Sequence, residues 1–190
     1  MRTSIIFLIF FLAVAFKSES QLSKGIWLVG GNGSYEKYHQ GYNLPGLNVQ
    51  NKGLVLKISP EIGLFIKSKC MVGLKNTFEW DKDRSNGGGY QNTKYLFTGP
   101  FIRYYLLKED NFLNIITEVN YQIGTMWSQA RRGPINNFSF LAGPTIFLNS
   151  SVGLELLLGY SLHKEGYKNV YTLSTKSIIT TIGFHYYLEK

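Results

Sequence analysis

The chain has 190 residues, of which 44% are hydrophobic, 15% aromatic and only 17% charged, with a net charge of +8. This length suits one ordinary domain, and 13 Tyr, 13 Phe and 3 Trp exclude a disordered chain. The single cysteine excludes a disulfide scaffold and a Cys-rich metal module. The basic residues do not cluster beyond Arg131-Arg132, so we predict no nucleic-acid partner.

The N-terminus has the pattern of a secretory signal. Arg2 precedes a 12-residue apolar segment over 5–16, too short to span a bilayer as a helix, which needs about 20 residues. Small residues in Ser18-Glu19-Ser20 provide a cleavage site. We therefore predict a cleaved signal peptide over 1–20 and an exported barrel domain over 21–190, the alternative being a signal anchor or a buried helix.

After this segment, alternation of apolar and polar residues recurs along the whole chain, which is typical of β-strands. Many of the segments run for 12–16 residues, whereas ordinary strands have about 5–6 and tilted membrane strands need about 9–11 for the bilayer. The alternation predicts eight strands, over 25–35, 52–66, 69–80, 94–107, 112–127, 137–148, 151–163 and 175–188.

The connections between these strands alternate in length. Three are short turns: Lys67-Ser68, Lys108–Asn111 and Asn149-Ser150. Four are longer and polar: Glu36–Asn51, Asp81–Thr93, Ser128–Asn136 and Lys164–Ser174. Short turns at one end and long loops at the other are typical of even-stranded bacterial outer-membrane barrels.

The two faces of the predicted strands differ chemically. One face of strands two to eight has 45 positions without a charge or a glycine. An eight-stranded barrel is too narrow to hold so many large apolar side chains, so this face is predicted to contact lipid. The opposite face is glycine-rich and is predicted to place seven charges in the lumen: Lys57, Glu61, Lys75, Glu79, Arg103, Glu118 and Glu155. We predict an all-β, eight-stranded, antiparallel, up-and-down transmembrane β-barrel.

Aromatic residues on the apolar face fall near the predicted membrane boundaries. Trp80 and Trp127 lie at the long-loop ends of their strands, and Tyr104 and Tyr186 lie near the short-turn end. We predict that these four residues belong to the aromatic girdles, because their rings are apolar and their polar atoms can contact water.

Three prolines fall on the apolar face of even-numbered strands, each a few residues before a short turn. A closed barrel has no edge strand that would accommodate a missing backbone donor. Pro60, Pro100 and Pro144 are therefore predicted to mark kinks, each a local bulge or bend.

The chain resembles the small outer-membrane β-barrel proteins, porin-like and of the OmpA and OmpX architecture. The residues that carry the resemblance are the signal peptide, Ser59–Phe65, Gly99–Tyr105, Gly143-Pro144, Leu158-Gly159-Tyr160 and Ile182–Leu188. The resemblance implies a cell outer membrane location in a Gram-negative bacterium, a monomer, and insertion by the barrel insertion machinery. The ending departs from the commonest form, because Glu189-Lys190 follow the last aromatic strand.

Candidate chemistry is sparse. His39, His163 and His185 are too scattered to predict a metal site, and no cofactor is predicted. Ser161, His163 and Glu155 share a strand face, which could suggest a lipid-acting outer-membrane enzyme. We favour a polar strand end without catalysis, because alternation directs these side chains away from lipid.

The inward charges nearly balance, which favours a structural plug that closes the lumen over a gated polar pathway. We expect a porin-like, structural or adhesive role, with outer-membrane lipid and a small solute or extracellular ligand at the long loops as possible partners. The loop charges Arg131, Arg132, Lys164 and Lys168 could contact anionic headgroups. The alternative to a membrane protein is a soluble secreted lipocalin-like barrel that binds a small hydrophobic ligand.

Overall fold

The computed structural model describes residues 22–44, 47–85, 90–128, 132–167 and 171–188. The predicted signal peptide lies outside these residues. Eight antiparallel strands in sequence order form a closed barrel, as the alternation predicts. The strands are β1 (Trp27–Leu44), β2 (Leu47–Lys67), β3 (Cys70–Ser85), β4 (Tyr90–Tyr105), β5 (Leu113–Ser128), β6 (Arg132–Phe147), β7 (Val152–Tyr167) and β8 (Tyr171–Leu188).

The strand register fixes the shape of the barrel. Following the paired residues from Trp27 through β2 to β7 leads to Ile178 on β8, ten residues from Leu188, with which Trp27 pairs directly, so the shear is ten residues. With ordinary strand spacing and rise, this shear tilts the strands by about 40°, so each residue climbs about 2.5 Å along the barrel axis. An eight-stranded barrel of this kind has an interior that side chains can fill.

The apolar face points outward, as predicted. The exposed fraction is 74% for Ile178 and 67% for Ile182, and large exposed hydrophobic residues occur on all eight strands. Exposing such a continuous apolar surface to water would be energetically unfavourable, whereas contact with lipid chains is favourable. This exterior rules out the soluble lipocalin-like alternative, in which the same side chains would be buried. In the described part of the chain, no helix is long and apolar enough to cross a bilayer.

The strands extend further at the long-loop end than the sequence predicts. β1 and β2 include every described residue of Glu36–Asn51, and β3 and β4 include every described residue of Asp81–Thr93. The interpretation of these polar segments as loops is therefore wrong for most of their length. Backbone pairing continues past the last apolar residue, because a hairpin in water needs no lipid-facing side chains.

The strand prolines are not bulges. The register on both sides of each proline is the same, and the one register shift between β2 and β3 lies instead at Phe65/Lys67. A proline removes a donor without adding a residue, so the pairing is interrupted but not displaced. Each proline pairs with the preceding strand and interrupts the pairing with the following strand. The interruption at Pro60 lies between the pairs Ile58↔Phe78 and Glu61↔Lys75. The interruption at Pro100 lies between Thr98↔Ile123 and Phe101↔Asn120, and that at Pro144 lies between Ala142↔Leu158 and Thr145↔Glu155.

The chain closes the short-turn end of the barrel with the segment that precedes β1. The side chain of Leu22 is fully buried, and its carbonyl accepts a hydrogen bond of 2.9 Å from the Lys69 amide. Gly25 has a φ of 94° and donates its amide to the Phe65 carbonyl at 2.9 Å. This left-handed residue delays the start of β1 to Trp27, two residues later than predicted. The base of the lumen is apolar: Leu22, Ile26, Leu28, Phe65, Met71, Ile116 and Phe147.

Candidate functional site

The charged side chains of the lumen come from six strands at inward-facing positions. Opposite charges face each other in three cross-strand pairs, Lys57↔Glu79, Glu61↔Lys75 and Arg103↔Glu118, an arrangement that stabilises neighbouring strands. We name the group at this level the lumen cluster: Glu61 on β2, Lys75 on β3, Arg103 on β4, Glu118 on β5, Glu155 on β7 and His185 on β8.

Arg103 is the centre of the lumen cluster. Its Nη2 lies 2.6 Å from Glu61 Oε1 and 2.5 Å from Glu118 Oε2, and its Nη1 lies 3.2 Å from Glu155 Oε1. Its Nε also donates to Glu118 Oε2, at 3.1 Å. The exposed fraction of the Arg103 side chain is 0%. A planar guanidinium suits this role, because its donors diverge in fixed directions toward several carboxylates.

Lys75 and His185 complete the cluster from either side of Arg103. Lys75 Nζ lies 2.9 Å from Glu61 Oε2 and also contacts Glu118 Oε1. His185 Nε2 lies 2.8 Å from Glu61 Oε1, and its Nδ1 lies 3.2 Å from Glu155 Oε1. Three carboxylates thus face Arg103, Lys75 and His185, and the charges balance when His185 is protonated. Such balance matters because an unpaired buried charge is strongly destabilising.

A buried aromatic ring supports the two permanent cations. The Phe101 ring centroid lies 5.3 Å from Arg103 Cζ and 5.4 Å from Lys75 Nζ, which is within range of a cation–π interaction. Gly73 makes room for this ring, because a Cβ on Gly73 would approach Phe101 to 2.6 Å. The glycine-rich inner face thus provides the volume that the cluster occupies.

The other two predicted lumen charges form a separate pair. Lys57 Nζ lies 2.9 Å from Glu79 Oε2, with side-chain exposures of 27% and 11%. This pair lies nearer the long-loop end and shares no ion pair with Arg103 among the described side chains. The seven predicted charges therefore divide into a buried group of five and a partly exposed pair.

Sequence reasoning did not assign His185 to the charge network. His185 has an inward-facing position on β8, and β8 is the neighbour of β7. On β7 it pairs with Gly153, which is two residues from Glu155. Diagonal neighbours of this kind are within reach of a long side chain. The alternation placed His185 inside, but only the register brings it to the carboxylates.

Polar uncharged side chains lie above the lumen cluster. Gln122 Nε2 donates to the Lys75 carbonyl at 3.2 Å and to Thr77 Oγ1 at 3.0 Å. A cavity of about 50 Å³ at this level has mostly hydroxyl- and amide-bearing side chains in its wall, Ser59, Asn120 and Asn137 among them. Below the cluster, Tyr105 Oη and Tyr187 Oη lie 3.0 Å apart, above the apolar base. The lumen thus has a polar layer, an ionic layer and an apolar layer.

The residues considered for lipid hydrolysis do not converge. Ser161 Oγ donates to Asn137 Oδ1 at 2.7 Å, whereas the His163 ring lies 5.6 Å from the ring centroids of both Tyr95 and Phe97. Glu155 belongs to the lumen cluster. The His39 side chain lies outside the described residues, and within the described ranges no group of three potential ligands is placed to hold a metal.

The predicted girdle residues lie on the outer surface. The exposed fractions of Trp80, Tyr104 and Tyr186 are 40%, 45% and 44%. Trp127 is partly covered, and Arg132 Cζ lies 5.7 Å from its ring centroid. The tryptophans lie toward the long-loop end and the tyrosines toward the short-turn end, where a lipid-embedded barrel has its boundaries.

Together, the lipid-facing exterior and the closed strand order define a small, eight-stranded transmembrane β-barrel with an ionic cluster in its interior. The chain is similar in structure to the outer membrane protein OprG from Pseudomonas aeruginosa. The identity is 12% and the TM-score 0.54, over 90% of this chain and 100% of that chain. A de novo designed transmembrane β-barrel is 14% identical with a TM-score of 0.36, over 87% of this chain and 98% of that chain. No protein-family model and no curated protein matches the chain. The likeness to OprG agrees with the fold implied by the sequence resemblance, and at this identity it supports the fold alone.

Proposed function

We propose that the protein is a monomeric, integral outer-membrane barrel with a lumen that the lumen cluster closes to passive diffusion. Its role is then structural or adhesive and depends on the outer surface and the hairpins at the long-loop end. The observation that carries the proposal is the fully buried Arg103 side chain in contact with all three carboxylates of the cluster.

The closure has a physical basis in the cost of opening the cluster. A hydrated ion could pass only if Arg103 left its carboxylates, and each charge left unpaired in a narrow interior would be expensive. The base formed by Leu22 and its apolar neighbours provides a second barrier, because these side chains cannot replace the hydration of an ion.

The hairpins offer the surface that an adhesive role requires. β1 and β2 have 18 and 21 residues, more than a bilayer needs. From the tilt of the strands, the β1–β2 hairpin rises about 15 Å beyond the level of Trp80. An extracellular ligand would contact this end of the barrel.

Conductance through a planar bilayer tests the closed lumen. The full mature chain is refolded, inserted into a phosphatidylcholine bilayer and recorded in 1 M KCl, with a large general porin as the positive control for insertion. The proposal expects no stepwise conductance while heat-modifiable gel mobility shows a folded barrel. Regular steps from the folded wild-type barrel would refute passive closure.

A porin-like, gated polar pathway is the second candidate, and the polar cavity above the lumen cluster favours it. Its wall of hydroxyl and amide groups could hold water leading down to Arg103. On this alternative, Arg103→Ala opens the lumen and produces conductance with little loss of stability. On the structural plug, the same variant loses stability. A variant unchanged in both respects would contradict both candidates.

We propose no catalytic role. The hydrogen bond from Ser161 to Asn137, rather than to His163, supports this view. Release of fatty acid from phospholipid vesicles by the wild type, abolished in Ser161→Ala, would overturn it.

A further inference from the structure

The outer surface carries a row of alternating aromatic and cationic side chains at the long-loop end. The register places Lys94 opposite Trp80 on one side and Trp127 on the other, and Trp127 opposite Arg132. Directly opposed residues on one face of a sheet lie about 4.5–5.5 Å apart at Cβ. We name Trp80, Lys94, Trp127 and Arg132 the outer row.

The outer row belongs to a wider cationic collar. Among the described side chains, six exposed basic residues occupy outward-facing positions near this end: Lys52, Lys82, Lys94, Arg132, Lys164 and Lys176. The register and tilt place them within about 10 Å of one another along the barrel axis. The described acidic residues at this level, Glu79, Asp81 and Asp83, alternate with Trp80 and Lys82 and so fall on the inward-facing positions of β3.

An apolar groove lies on the outer surface directly below the outer row. Leu96, Ile123 and Pro134 contribute to its wall, and Trp127 forms its upper part. The strand backbones approach closely here, because a Cβ on Gly124 would lie 2.0 Å from the Leu96 carbonyl oxygen. Beside these outward-facing side chains, a depression of about 660 Å³ opens toward lipid.

We infer that the outer row and this groove bind a phosphate-bearing lipid of the outer leaflet. The phosphate contacts Lys94 and Arg132, the tryptophan rings lie at the boundary between headgroup and chains, and an acyl chain occupies the groove. A lipid is favoured over a solute, because these side chains face outward and not into the lumen. Arg132 packs on Trp127, which orients its charge toward the same headgroup position.

The sequence pattern alone predicts headgroup contacts for a different set of residues, Arg131, Arg132, Lys164 and Lys168. Arg131 and Lys168 lie outside the described residues, whereas Arg132 and Lys164 belong to the collar. Lys94 was not among them. Its significance depends on the register, which places it between two tryptophans on neighbouring strands.

The test measures binding of bisphosphorylated lipid A to the full mature barrel in phosphatidylcholine nanodiscs. Wild type is compared with Lys94→Gln/Arg132→Gln and with a matched control, Lys67→Gln/Lys108→Gln. The control removes the same charge from exposed positions at the opposite end. We expect about a fivefold loss of affinity for each charge removed from the outer row and less than a twofold change in the control. Equal losses in both variants would overturn the inference.

Two further arms identify what is recognised. In a Trp27→Phe background, Trp80 and Trp127 report binding by fluorescence, and Trp27 no longer contributes. The wild type should bind lipid A at least tenfold more tightly than the same lipid without its phosphates. Inorganic phosphate at millimolar concentration should produce no fluorescence change and should not compete. Equal binding of the dephosphorylated lipid would refute headgroup recognition, and saturable binding of inorganic phosphate would refute a lipid as the ligand. Neither arm requires a variant of the outer row.

Discussion

Replacing Arg103 with alanine should destabilise the barrel more than any other single charge removal in the lumen. The variant removes the group that contacts Glu61, Glu118 and Glu155 and leaves Lys75 and His185 as the cationic partners of these three carboxylates among the described side chains. Removing one partner of a buried ion pair costs about 3–5 kcal/mol. The lost packing against Phe101 adds to this cost. We therefore expect the free energy of unfolding to fall by at least about 3 kcal/mol.

The assay is equilibrium urea unfolding of the refolded barrel in phosphatidylcholine vesicles, followed by tryptophan fluorescence and gel mobility. Lys57→Ala is the matched control, because it also removes an inward-facing cation with a carboxylate partner but is partly exposed. Partly exposed ion pairs contribute about 0–1 kcal/mol, so the control should lower the free energy of unfolding by less than about 1 kcal/mol. Arg103→Lys should fall between the wild type and Arg103→Ala, because an ammonium keeps the charge but not the divergent donors.

A loss of less than about 1 kcal/mol in Arg103→Ala, the range of a surface ion pair, would refute a stabilising role for the lumen cluster. In that case the three carboxylates would have to be satisfied by water or by protonation. Conductance from the same folded variant would then favour the gated polar pathway over the structural plug.

Three further changes test other parts of the barrel in the same unfolding assay. Gly183→Ala should cost about 1–3 kcal/mol, because its Cβ would lie 2.0 Å from Asn32 Oδ1; no measurable loss would show that Asn32 moves freely. Leu22→Ala should cost about 2–5 kcal/mol through the cavity left at the barrel base, whereas the exposed control Lys24→Ala should have no effect. Pro100→Ala should change stability by less than about 1 kcal/mol, because it restores a donor without shifting the register; a larger loss would show that the proline itself shapes the strand.

The sequence predicts the number of strands and their order from the alternating segments, and it predicts the direction of each face because the interior of an eight-stranded barrel holds only a few of the large apolar side chains. Alternation places Ile178 and Ile182 on the apolar face, and the narrow interior of an eight-stranded barrel then predicts that this face is the exposed one. Strand ends are less predictable. The polar hairpins beyond the membrane keep their backbone hydrogen bonds. Because these bonds join backbone groups, the pattern of side chains does not show where the strands end.

The candidate site is only partly predictable for a related reason. Alternation selects which side chains point inward, but register decides which of them meet. Glu61 and Lys75 come together because their strands pair directly, whereas Glu155 reaches Arg103 across the lumen from another part of the barrel. Lys57 and Arg103 are equivalent in the pattern, yet only Arg103 is fully buried.

The same alternation separates the two sites and makes their effects independent. The lumen cluster occupies inward-facing positions, and the outer row occupies outward-facing positions of β3 to β6, so the sheet lies between them. Arg103 and Arg132 share no partner among the described contacts. Changes at distant sites without shared partners are additive to within about 0.5 kcal/mol. An Arg103→Ala barrel that remains folded should therefore keep the wild-type affinity for the phosphorylated lipid, and the Lys94→Gln/Arg132→Gln barrel should remain closed to ions. A barrel in which lipid binding and closure to ions change together would require a conformational link through the sheet. The lumen cluster and the outer row would then not be independent sites.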